Sequence, residues 1–200
     1  MGKHLLFCLV VGGWLSACGQ ADGLDSPTDV DPVTRVNPLE AAGRVDFFVR
    51  VVGADGMPFT GESSSVRFQD FIPAIRFFSN VSKPPAGVVR CNAIQFTKAA
   101  GAASPLFARA VSSGEILRSV RFDFVRPPND FVWQRLDVTS VRVATLEQAV
   151  APPEGMSPSA LLEEVNLEPV NTAGVTLTAF PLRADGTAGP PVTTSYTCRR

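Results

Sequence analysis

The sequence predicts a mainly β fold, and three observations predict it. Apolar and polar residues alternate in short segments from Val45 to Cys198, the period of a strand with one face buried. Clusters such as GADG, NTAG and RADGTAGPP separate those segments and read as turns. Seventeen prolines and sixteen glycines in 200 residues disfavour helices. With 45% hydrophobic and 18% charged residues, one globular domain with a single core is expected.

The first strand is expected at Val45–Val52, with Val45, Phe47, Val49 and Val51 on one face and Asp46, Phe48 and Arg50 on the other. Phe48 makes the second face partly apolar, so some cover is expected there too. Val66–Phe78 and Val88–Phe96 read as further strands, joined by SNVSKPPAG. In Leu117–Arg126, Val120, Phe122 and Phe124 point inward and Arg121 and Asp123 outward; Pro127 and Pro128 end the run. Phe131–Leu146 reads as two strands, or as one longer strand bulged at Asp137–Ser140. Leu161–Pro169, Val175–Leu182 and Val192–Cys198 bring the total to about eight, enough for a closed barrel or a sandwich.

One helix interrupts the strands. Ser104 reads as its N-cap, Pro105 takes the first helical position where a missing N–H costs nothing, and Gly114 supplies the left-handed stop. Leu106, Phe107, Ala110 and Val111 share one face. A helix this short does not persist alone in water, so that face must pack on an open end or a face of the strands.

The N-terminus, MGKHLLFCLVVGGWLSACGQ, has a basic start and an apolar run of eleven residues, Leu5 to Leu15. That is too short to span a bilayer and predicts an export signal over residues 1–17. Ordinary cleavage after Ala17 would want a small residue three positions before the cut, where Leu15 stands. LSAC instead resembles the lipobox of bacterial lipoproteins, which implies that Cys18 is acylated, for example with palmitate, and becomes the new N-terminus. Each buried methylene contributes ~0.8 kcal/mol, so several acyl chains would hold the protein to the membrane, facing the periplasm or the exterior. Gly19 after the cysteine, in place of Asp, resembles an outer-membrane sorting signal. Residues 18–43 then read as the lipidated cysteine and a tether, with three prolines, five acids and no apolar periodicity. As a coil it would span roughly 30 Å, and in polyproline form about 75 Å. Residues 44–198 are the expected barrel domain.

Little in the mature chain suggests chemistry. With the signal removed, 17 basic groups face 19 acidic ones, a balance that attracts neither nucleic acid nor an acidic surface. The sole histidine, His4, leaves with the signal, which excludes Ser-His-Asp and Cys-His arrangements. Gly61–Ser65, GESSS, has hydroxyls but no base nearby in sequence. Glu163 and Glu164 adjoin on a strand and point to opposite faces, so they do not pair. Asp55 and Asp185 sit in Asp-Gly turns with local hydrogen bonding as their expected role, and Asn80 heads a chance glycosylation match. Alternating Arg121 and Asp123 suit a solvated face. Cys8 also leaves, so Cys91 and Cys198 are a disulfide candidate in an oxidising compartment, the alternative being two separately buried thiols. A bridge over such a loop would give at most ~5 kcal/mol. Two cysteines without histidine do not make a zinc site. No catalytic, cofactor-binding or metal-ligating residue and no small-molecule substrate is expected.

FTKAAGAASPLFARAVSSGEI, from Phe96 to Ile116, resembles the signature of the haemolysin-coregulated protein (Hcp) family, the tube proteins of type VI secretion. LDVTSVRV resembles that family's central strand, and EEVNLEPVNTAGVTLTAFPLRADGTAGPP its closing hairpin and glycine turn. The likeness covers Arg44–Cys198. It implies an Hcp-like β-barrel of two sheets with one short α-helix packed beside it, subunits that form six-membered rings stacked into a tube, and no catalysis or cofactor. Tube subunits carry no export signal, however, and this chain is expected to carry one. The sequence is therefore expected to encode an exported, lipid-anchored binding or structural module of the cell envelope, or else a secretion-associated component that keeps the hexameric ring.

Overall fold

The computed structural model describes residues 45–126, 131–150, 161–170, 172–184 and 187–199. The expected signal, Cys18 with the tether to 43, Pro127, Pro128 and Asp185 lie outside the described residues. Among the described residues are eight strands and one α-helix: β1 Phe47–Val52, β2 Ile72–Ser82, β3 Arg90–Ala99, α1 Ser104–Ser113, β4 Ile116–Arg126, β5 Phe131–Ala149, β6 Leu162–Pro169, β7 Gly174–Ala179 and β8 Val192–Thr197. Among the described residues no helix is long and apolar enough to cross a membrane.

All strand pairs are antiparallel and lie in the order β4-β1-β2-β3-β6-β5, with β7 and β8 continuing outward from β5. A further β4–β5 ladder closes the first six strands into a barrel, so the two expected sheets are parts of one continuous sheet. Closure depends on β5, which bonds β4 along residues 131–142 while its other edge takes β7 at 134–138 and β6 at 141–149. Ser140, at φ +55, lies where that edge changes partner. Phe131–Leu146 is thus one long strand, bent near the bulge considered above. Arg76, at φ +51, marks a second bend, within a register shift between β2 and β3. Such bulges give a sheet the curvature that closure requires.

Inward positions follow the alternation in the sequence. Phe47, Val49 and Val51 stand beside their ladder partners Phe124, Phe122 and Val120 on the inner face, and Val138, Val141, Val143, Val165 and Leu167 belong to the same buried core. A file of ring contacts runs from Phe107 on α1 through Phe96, Phe122, Phe77 and Phe124 to Trp133, with centroids 4.9 to 6.1 Å apart. Each such contact adds to what area burial alone provides. Phe107 and Ala110 of α1 are buried, and Gly114 ends the helix at φ +66, its N–H donating to the Ala110 carbonyl.

Two expectations change. Val66–Phe78 is not one strand: Val66–Phe68 forms a 3-10 turn, and β2 begins only at Ile72. The cause is the apolar outer face of β1. Phe68 stacks on Phe48 at 4.2 Å, Val125 and Val132 join them, and the chain must leave the sheet to make this cover. Gly61 allows the loop to pass close to β2, since a Cβ there would lie 2.0 Å from the Phe71 carbonyl oxygen. Val45 precedes β1 and packs against this outer cluster and the one around Ile75, Ala99 and Leu162, not inside the barrel. Truncating the helix anchor by Phe107→Ala is expected to cost about 3–5 kcal/mol in urea unfolding, because the cavity adjoins Phe59 and Phe96, which cannot collapse into it.

Candidate functional site

The most elaborate polar constellation lies beneath the start of α1. Lys98 stands directly opposite Glu163 in the β3–β6 ladder, and both side chains share the face of Phe96 and Val165. They form an ion pair whose side chains are 1% and 0% exposed. Lys98 Nζ also donates to the Ala99 carbonyl at 3.0 Å and to Ser104 Oγ at 2.9 Å. Ser104 Oγ donates to Glu163 Oε2 at 2.7 Å, and Gln148 Nε2 donates to Glu163 Oε1 at 2.8 Å. The Phe107 ring covers the ammonium, its centroid 5.6 Å from Nζ.

Ser104 therefore serves another purpose than capping. Ala103 occupies the cap position without a side-chain bond, Ser104 is the first helical residue, and its hydroxyl accepts from Gly101 N–H at 2.9 Å. From outside, Glu62 Oε1 accepts from Ala102 N–H at 2.7 Å and ties the GESSS loop to the same turn. The helix entry is thus held by side chains from three separate parts of the chain.

Burial pushes the Lys98 ammonium below its ordinary pKa, and the bonds to Glu163 only partly offset that push. Burial works against the Glu163 carboxylate as well, but Lys98, then Ser104 and Gln148, together hold its pKa below 4.5. The void beside Lys98 measures about 10 Å³, room for one water at most. A charge-balanced, fully bonded pair with no space for a ligand is a clamp on the helix and not a reactive centre.

The other sequence-predicted positions are dispersed. Glu164 faces outward, away from Glu163 as expected. Asp55 Oδ1 accepts from Met57 N–H at 2.8 Å, the local turn role expected of it. Asn80 is exposed and its Oδ1 accepts from Asn92 Nδ2 at 3.1 Å. Among the described residues no three His, Cys, Asp or Glu side chains cluster to hold a metal. Cys91, at the start of β3, and Cys198, just past β8, are joined in the structure with Cα atoms 5.4 Å apart. The solvated Arg-Asp face needs correcting. Asp123 is 1% exposed and accepts from Arg135 Nε at 2.6 Å, while Arg121 Nε donates to Asp137 Oδ1 at 2.7 Å, so four alternating charges zip β4 to β5. Sequence reasoning missed Lys98 and Gln148. The signal for Lys98 was its place two residues after Phe96 and four after Ile94, on the inward face of a strand, where a charge demands a partner.

No protein-family model matches the chain, and no curated protein matches it by sequence. Solved structures do match. A type six secretion system protein superposes with a TM-score of 0.65 at 16% identity, over 76% of this chain and 95% of that one. Hcp1 from Salmonella typhimurium gives 0.59 at 18% identity over 76% and 93%, and secreted Hcp3 from Pseudomonas aeruginosa 0.57 at 17% over 78% and 99%. The barrel with its single helix is therefore an Hcp-like fold, and identities this low support that statement alone.

Lys98→Met is expected to lower stability at pH 7 by about 3–5 kcal/mol, because it leaves Glu163 buried and unpaired. The double variant Lys98→Met, Glu163→Leu should unfold in urea at or above the parent midpoint. Glu163 contributes stability that is present in full above 4.5 and lost as the pH falls through its depressed value. The parent should accordingly weaken more than the double variant between pH 5 and pH 3.

Proposed function

We propose that this chain is an exported, lipid-anchored module of the cell envelope with no catalytic activity, which binds or supports other envelope proteins through an Hcp-like barrel. The observation that carries the reading is the placement of LSAC at residues 15–18, directly before a tether and then the barrel. The acyl chains on Cys18 would be the membrane contact, and Gly19 favours the outer membrane over the inner one. The interior supports a structural role, since phenylalanines fill it and its buried charges are spent on one another. If lipidation holds, labelled palmitate is taken up by the full-length chain and lost on Cys18→Ala; label that persists in the variant would remove the anchor from the proposal.

A second reading has its own support. Arg50 is exposed beside Arg121 on the β1–β4 ladder, where Arg121 is itself paired with Asp137, and Glu147 stands opposite Glu164 on β5–β6. Like charges face to face are unfavourable within one subunit. Set against each other between copies, they would suit a head-to-tail contact that closes as a ring. On this reading the chain is a type VI secretion-associated component that keeps the family's hexamer outside the cytoplasm. The soluble domain is expected by mass photometry to be a monomer or small oligomer. A dominant six-membered species, dispersed by Arg50→Glu and restored by adding Glu147→Arg, would decide for the ring.

A further inference from the structure

We propose that Arg90 and Arg199, brought to one cleft by the Cys91–Cys198 bridge, form a binding site for a dianionic phosphate group. Each arginine adjoins one of the bridged cysteines, Arg90 before Cys91 and Arg199 after Cys198. The bridge holds the two cysteine Cα atoms 5.4 Å apart, and the Arg199 N–H donates to the Val89 carbonyl at 2.8 Å, next to Arg90. Cys198 is also pinned to the turn before β7: its N–H donates to the Ala173 carbonyl at 2.8 Å, and its own carbonyl accepts from Thr172 N–H at 3.1 Å. The backbones that carry the two arginines are thus fixed to each other covalently and by hydrogen bonds.

The cleft has a volume of about 400 Å³ and is lined by Arg90, Cys91, Asn92, Ala93, Glu168 and Arg199. Both arginines are exposed. Among the described residues neither guanidinium has an ion-pair or hydrogen-bond partner. The acid in the wall, Glu168, is paired with Arg142, so that pair adds no net charge. Two like charges in one cleft repel each other, and an anion between them reverses the sign of that interaction. Asn92 Nδ2 donates one hydrogen to Asn80 Oδ1 at 3.1 Å, which leaves the other for a ligand.

Charge selects the ligand class. A carboxylate is satisfied by one guanidinium fork, whereas a phosphomonoester, with a charge of about −1.5 to −2 at neutral pH and three acceptor oxygens, matches two. A cleft of this volume lies in the range of small-molecule sites, so part of the group that bears the phosphate enters with it. The near-neutral balance of the whole chain conceals such a site, because one covalent bond makes it locally. It does not depend on the proposed lipid anchor.

The test is calorimetric titration of the full, bridged chain with inorganic phosphate at constant ionic strength. Saturable binding is expected, weakened about tenfold by Arg90→Gln and by Arg199→Gln, since charge-assisted bonds are the strong class. Arg109→Gln, on α1, should leave it unchanged. Dithiothreitol, which opens the bridge to two thiols as it is oxidised to its own cyclic disulfide, should weaken binding several-fold, with far-UV circular dichroism reporting the fold. If reduction unfolds the chain, the arginine variants alone decide. Flotation with phosphatidylcholine vesicles, with and without phosphatidic acid, separates the sources of the group. Retention raised by phosphatidic acid in the parent but not in the double variant Arg90→Gln, Arg199→Gln assigns a lipid headgroup; phosphate binding without it assigns a soluble phosphomonoester. Three results would overturn the proposal: neither saturable phosphate binding nor added retention, equal affinity in the parent and the double variant, or unchanged affinity in the reduced, folded chain.

Discussion

The barrel stands on the hydrogen bonding of β5 along both of its edges. An antiparallel meander of this length would otherwise end in two free edges, and its inward phenylalanines would line an open trough. The nineteen residues of β5 bond β4 on one side and first β7, then β6, on the other. That double engagement closes six strands and moves the remaining free edge out to β8. Closing a sheet removes unpaired backbone groups that would otherwise template aggregation. It also encloses the volume in which the aromatic file from Phe107 to Trp133 can form.

Closure leaves a problem where the helix enters, and the polar clamp resolves it. A ten-residue helix contributes little stability of its own and needs a defined entry angle. Lys98, Glu163, Ser104 and Gln148 supply one by linking β3, β6, β5 and the first turn of α1 through bonds that tolerate little variation in geometry. Burial costs the ammonium more than its partner returns, as the lowered pKa of Lys98 indicates. The pair accordingly contributes placement more than stability. On the β4–β5 ladder the Arg121–Asp137 pair is nearer the surface and adds register more than energy, while Asp123 is buried against Arg135.

Fold and address point in different directions. A barrel like this one recurs in secretion tube proteins, whereas the N-terminus reads as that of an anchored envelope protein. A shared scaffold does not carry its usual task with it.

The strands, the helix and their order were legible in the residues, because alternation, Ser-Pro and the Gly114 stop act over a few positions each. Phe47, Val120, Phe122 and Phe124 were placed inward from the period of two alone. The departures share a physical cause. Val66–Phe68 looked like part of a strand until the outer face of Phe48 had to be covered, and Asp123 looked solvated until Arg135 arrived on the neighbouring strand. Ser104 looked like a cap until a buried ion pair competed for its hydroxyl. By itself the sequence determined which segments become strands and which faces are apolar, since those follow from local periodicity. Closure through β5 and the bonding of Lys98 to Glu163, sixty-five residues apart in sequence, were decided only in the tertiary structure, because each depends on partners that local sequence does not bring together.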